Sequence, residues 1–138
     1  MEHIGTRLLV ASASLLALLP FPLLYLLSDM LFPVVYHLAR YRRKMVRKNL
    51  SNAFPEKSKR ELIILEKAYY HHLCDYFVET VKTLQLSEEE IKQRMHFENP
   101  ELLNNLMKDG SSCLVCLGHY GNWEWVPSIV LHLMPGVE

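Results

Sequence analysis

Hydrophobic and polar positions divide the chain into a charge-poor N-terminus and a periodic remainder. Residues 8–28 contain no Asp, Glu, Lys, Arg or His, and apolar sequence resumes past Pro22 up to Ala39. A membrane-spanning helix needs about 20 predominantly apolar residues, and residues 8–28 meet that length. Pro20 and Pro22 each remove a backbone donor, so a kink or a broken, partly interfacial hairpin is expected there. A cleaved signal peptide is the competing reading. It is disfavoured because Arg7 is the only cation ahead of the apolar run and the apolar character outlasts the prolines.

The remainder reads as helices with clear punctuation. Arg42–Phe54 predicts a basic amphipathic helix, with Met45, Val46, Leu50 and Ala53 near one face and Pro55 ending it. Ser58-Lys59-Arg60-Glu61 fits a capping box that opens a long helix. Its expected inward stripe is Leu62, Leu65, Tyr69, Leu73, Tyr76 or Phe77, Val81 and Leu84. A second capping box, Ser87 to Glu90, opens a short helix to about Arg94, and Met95-His96-Phe97-Glu98 alternates like a short strand. Asn99-Pro100-Glu101 predicts another helix start, with Gly110 closing that helix. Ser112–Leu117, apolar on both faces, reads as a central sheet strand. Gly118–Asn122 then makes a turn and Trp123–Met134 a helix. The expected fold class is therefore α/β, helix-rich with few strands, behind an N-terminal membrane helix.

Formal net charge is zero, yet nine of the fifteen Lys and Arg fall in residues 40–60, opposed there only by Glu56. Basic residues directly after an apolar span mark the cytoplasmic side and attract anionic headgroups. A nucleic-acid patch would more naturally sit on a soluble domain. The three cysteines, Cys74, Cys113 and Cys116, argue against a disulfide framework in that compartment. Cys113 and Cys116 match C-x-x-C, but residues three apart on a strand face opposite ways. His71 and His72 point about 100° apart on a helix, which does not suit a shared metal.

The densest chemistry is Gly118-His119-Tyr120-Gly121-Asn122-Trp123-Glu124-Trp125. His119 and Glu124 lie five positions apart, one at a strand end and one in the first turn of a helix. Such a turn can bring an imidazole and a carboxylate together. The carboxylate then fixes the tautomer and leaves the other ring nitrogen free to take a proton. Gly118 and Gly121 let a substrate approach the backbone, and the helix start after Asn122 offers amide donors to an oxyanion or phosphate. The bland alternative is a loop histidine and an acid paired with the helix dipole.

This motif, with the Cys113–Leu117 run before it, resembles the bacterial lipid A biosynthesis (lauroyl/myristoyl) acyltransferases of the glycerolipid acyltransferase superfamily. Val46-Arg47-Lys48-Asn49-Leu50-Ser51-Asn52-Ala53-Phe54-Pro55 and Asn99-Pro100-Glu101 carry the same resemblance. The wider superfamily has H-x-x-x-x-D, and Glu124 is closer to the lipid A branch. The resemblance implies transfer of a fatty acyl group from acyl carrier protein to a hydroxyl of a lipid A precursor. His119 would be the general base, Glu124 its charge partner, and Gly118, Gly121 and Asn122 substrate-binding positions. It implies no metal or cofactor, contact with membrane lipids, no nucleic-acid partner, and a single N-terminal anchor with its catalytic part on the cytoplasmic face of the inner membrane.

On that reading residues 1–39 are the anchor and 40–138 the N-terminal part of an acyltransferase α/β domain. Later family segments have no counterpart in these residues, so a truncated product is expected. The rival classes are a non-enzymatic membrane-anchored adaptor and a redox or metal protein built on Cys113, Cys116 and a histidine.

Overall fold

The computed structural model describes residues 4–133 and divides into two compact units, Met1–Lys82 and Thr83–Glu138. The first unit holds α1 (Ile4–Ala17), α2 (Phe21–Pro33), α3 (Arg43–Ala53) and α4 (Lys59–Lys82). The second holds α5 (Glu88–Arg94), α6 (Pro100–Leu106) and a 3₁₀ helix over Trp123–His132.

Pro20 and Pro22 break the apolar N-terminus as expected. After α1 the chain tightens, with Leu18 N–H bonded to Leu15 O and Leu19 N–H to Leu16 O. Pro20 then stands extended at φ −66°, ψ 152° ahead of α2. Pro22 is tolerated because it lies in the first turn, where no intrahelical donor is needed. Pro33 removes the amide that would bond to Asp29 O, and the ladder slips into a π-helical turn over Val34–Leu38. Ala39 N–H accordingly bonds to Val34 O at 2.8 Å. Phe21–Leu38 is one helix long and apolar enough to cross a membrane, with 18 residues, a mean hydropathy of 1.4 and 17% of it buried.

The 24-residue α4 is about 36 Å long and packs antiparallel along α2 through polar rungs. Lys82 Nζ donates to Ala17 O (2.8 Å) and Leu19 O (3.0 Å), tying down the end of α1 where its carbonyls have no helical partner. Tyr25 Oη donates to Glu79 Oε1 at 2.8 Å, and Ser28 Oγ to Asp75 Oδ1 at 2.6 Å. His71 stacks on Phe32 at 3.7 Å between centroids, with Nδ1 3.9 Å from Asp29 Oδ1. Tyr70 Oη donates to Tyr41 O.

At the far end α3 joins α4 through Glu66, which is fully buried. Arg47 grips its carboxylate with Nε and Nη2, and Arg43 adds a third bond. Burial pushes the Glu66 carboxyl up, but the bonds from Arg47 and Arg43 outweigh it and hold the group below the usual carboxylate range.

The stripe that α4 buries is thus Glu66, Tyr70, Cys74, Val78 and Lys82. The expected Leu62–Leu84 stripe flanks it, and Tyr69, Phe77 and Leu84 are exposed. Hydrophobic periodicity reads only apolar burial, whereas here Glu66 buries by pairing with α3 and Lys82 by bonding the end of α1.

Both capping boxes form. Ser58 N–H bonds to Glu61 Oε2 at 2.8 Å, and Ser87 and Glu90 bond reciprocally. Asn99 stands at the head of α6, but its side chain makes no cap bond.

The α/β expectation is corrected: among the described residues there is no strand. Residues 95–97 and 111–118 carry no regular structure, and Leu114 is 90% exposed. A strand is stable only when a neighbour takes its amides and carbonyls, and neither segment has such a neighbour among the described residues. The last helix is 3₁₀ rather than α: Pro127 sits inside it and lacks the amide that an α ladder would bond to Trp123 O. Met134, expected to end that helix, lies outside the described residues.

Candidate active site

The motif residues Gly118–Glu124 occupy the turn that leads into the 3₁₀ helix. Tyr120 N–H bonds back to Gly118 O at 2.9 Å, which folds the chain tightly around His119. Gly121 then takes φ +59°, in the left-handed region where a side chain is strained. Space around Gly118 and Gly121 is open, with nothing within 4 Å of an added Cβ. Asn122 heads the helix at φ −90°, ψ 74°, and its carbonyl receives Trp125 N–H at 3.2 Å.

His119 is exposed, and its ring meets Trp123 edge-on at 4.5 Å between centroids. Glu124 is half-buried in the first turn and lines a cavity of about 280 Å³ with Thr83, Ile91, Trp125, Ser128, Val130 and Leu131. The sequence motif therefore becomes a turn with an exposed imidazole, followed by a helix in which Glu124 lines a hollow. Trp123 sits between them in sequence and supports the imidazole from one side.

Two members of this hollow were given no role by the sequence: Trp125, which ends the motif, and Ser128, which lies outside it. The Trp125 indole N–H and the Ser128 hydroxyl are buried and have no hydrogen-bond partner among the described residues. Leaving such groups unpaired is costly unless something fills the need. The only sequence signal of Ser128 is a place four residues after Glu124.

The cysteines lie elsewhere. Cys74 is buried in the α4 stripe, and burial, aided by the Asp75 charge, pushes its thiol up and away from reactivity. Cys113 and Cys116 are exposed, free thiols.

The description "bacterial lipid A biosynthesis acyltransferase" matches this chain over residues 2–136, nearly its whole length and including the motif. This chain belongs to that family. Comparison with curated proteins and with solved structures gave no match. As a lipid A acyltransferase family member, the chain is assigned to acyl transfer in lipid A biosynthesis, with a lipid substrate and an acyl donor, in a membrane-associated setting.

Proposed function

We propose that this chain carries the catalytic base of an enzyme that moves a fatty acyl group from an acyl carrier protein thioester to a hydroxyl of a lipid A precursor. His119 takes the proton of the acceptor hydroxyl. The freed oxygen attacks the thioester carbonyl and gives a tetrahedral oxyanion. Collapse expels the thiolate, which recovers the proton from the imidazolium. Glu124 holds the imidazole in the accepting tautomer and stabilises its charged form. Gly118, Gly121 and Asn122 form the wall along which the acceptor lies.

Residues 1–39 act as the membrane anchor, and 40–138 belong to the acyltransferase part on the cytoplasmic face of the inner membrane. The supporting observation is the family match across the motif, joined to a turn whose glycines leave His119 accessible.

The test incubates the chain in mixed micelles with a lipid A precursor and either acyl carrier protein or coenzyme A loaded with the same fatty acid. Mass spectrometry then follows the acylated product. Product from the carrier-protein donor is expected. Product from coenzyme A alone would replace the donor, and none from either would favour an adaptor or an inert fragment.

A further inference from the structure

A cavity of about 670 Å³ opens where the apolar stretch gives way to α3, lined by Arg40, Arg42, Arg43, Lys44, Met45 and Arg47. We propose that it binds the phosphate of an anionic lipid headgroup, a reading that rests on the lipid-surface function above and adds a second, non-catalytic site to it. Five of its six lining side chains are cationic.

The only carboxylate joined to them among the described residues is Glu66, and of the five cations it pairs with Arg43 and Arg47. Arg40 gives its Nε to His37 O at 3.3 Å, and Arg42 gives an Nη2 to Met45 Sδ at 3.0 Å, both neutral partners. No acid pairs with Arg40, Arg42 or Lys44 among the described residues. Crowded like charges repel, and a bound anion relieves that repulsion.

Two further features point the same way. The first turn of α3 has no acid and carries Arg43 and Lys44, the reverse of what the helix dipole favours. Arg40 and Arg42 both take left-handed backbone, φ 49° and 51°, without being glycine or asparagine. Local rules broken together are expected at functional or strained sites.

Glu66 then has a positioning task. It is buried and orients Arg47 by two bonds and Arg43 by one, while Arg43 also donates from Nη1 to Tyr36 O and from Nη2 to Tyr36 Oη, both at 3.3 Å. Arg43 is held further by its charge over the Tyr36 ring at 4.1 Å. Planar guanidinium forks match the oxygens of a phosphate two at a time.

The phosphate's source follows from what lies beside the cavity. The helix leading to it exposes Met30, Val34 and Leu38, the last at 77%. A phosphate at that level is most readily supplied by a lipid whose chains meet these apolar side chains.

The test titrates the 138-residue chain in neutral detergent micelles with dihexanoyl phosphatidic acid, dihexanoyl phosphatidylcholine and inorganic pyrophosphate by calorimetry. Saturable binding of the phosphatidic acid is expected, about tenfold or more weaker in Arg40→Ala/Arg42→Ala/Lys44→Ala. None of these three residues bonds to Glu66, and matched melting curves check that the variant is folded. Lys57→Ala/Arg60→Ala/Lys67→Ala removes the same charge outside the cavity and should bind as the parent does. Pyrophosphate binding as tightly as the lipid would keep the phosphate site but make a soluble phosphate its ligand, overturning the lipid assignment. Equal losses in both triple variants, or none in the first, would overturn the site. Flotation with phosphatidylcholine vesicles tests the lipid-surface reading separately: a chain that floats but shows no phosphatidic acid preference sinks only the cavity proposal.

Discussion

Arg47 holds both oxygens of Glu66, Nε to Oε2 at 2.7 Å and Nη2 to Oε1 at 3.0 Å, with the carboxylate buried and the guanidinium half in solvent. This bidentate pair ties α3 to α4, and its guanidinium belongs to the lining of the basic cavity. Removing the acid leaves Arg47 and Arg43 without the carboxylate that pairs them. Glu66→Ala is therefore expected to lower stability by about 3 kcal/mol, read as a lower denaturation midpoint in detergent. A midpoint unchanged from the parent would show that the pair does not hold the two helices.

The same carboxyl gives a pH dependence. Its folded-state pKa lies below the usual carboxylate range because the bonds from Arg47 and Arg43 outweigh burial. Unfolded, it titrates at about 4.3. The unfolded chain thus binds more protons between the two values, and stability rises with pH there. The contribution is fully present above the unfolded value and is lost as pH falls through the folded one. Melting curves from neutral to strongly acidic pH should show a fall at the acid end that is shallower in Glu66→Gln. An equal fall in both would assign it to other acids.

Lys82 closes the opposite end of the unit by donating to Ala17 O and Leu19 O. Lys82→Met keeps much of the side-chain length but leaves both carbonyls without that donor. A loss of about 1–3 kcal/mol is expected, together with faster proteolysis at the Leu18–Pro20 turn. Unchanged cleavage there would mean that α1 is held by packing alone.

Gly121 is the one position in the motif whose backbone requires glycine, at φ +59°. Gly121→Ala should cost about 1–2 kcal/mol and reduce acyl transfer. Gly118 has open space and no left-handed backbone, so Gly118→Ala should melt like the parent. If the two variants melt alike, the turn is not held in the described conformation.

Helix boundaries were legible because they are set locally. Ser58 with Glu61, Ser87 with Glu90, and the prolines at 20 and 22 all act where their chemistry indicates. The inner face of α4 was hidden, because Glu66, Asp75, Glu79 and Lys82 bury or pair through partners 19 to 65 positions away. No periodicity in a single segment encodes such partners. The strand over Ser112–Leu117 failed for a related reason: an apolar run specifies burial, while a strand also needs a neighbour. At the candidate site the residue types were readable, but the edge-on Trp123 contact with His119 and the hollow beside Glu124 depend on the Pro127-containing 3₁₀ helix.

The central claim, that His119 removes the acceptor proton with Glu124 as its charge partner, is tested most directly by kcat/KM for acyl transfer in His119→Ala, Glu124→Ala and Glu124→Gln. Circular dichroism confirms that each variant is folded. The account predicts a fall of about 10²- to 10⁴-fold for His119→Ala, and losses in both Glu124 variants. Parental turnover in folded His119→Ala and Glu124→Ala would contradict it.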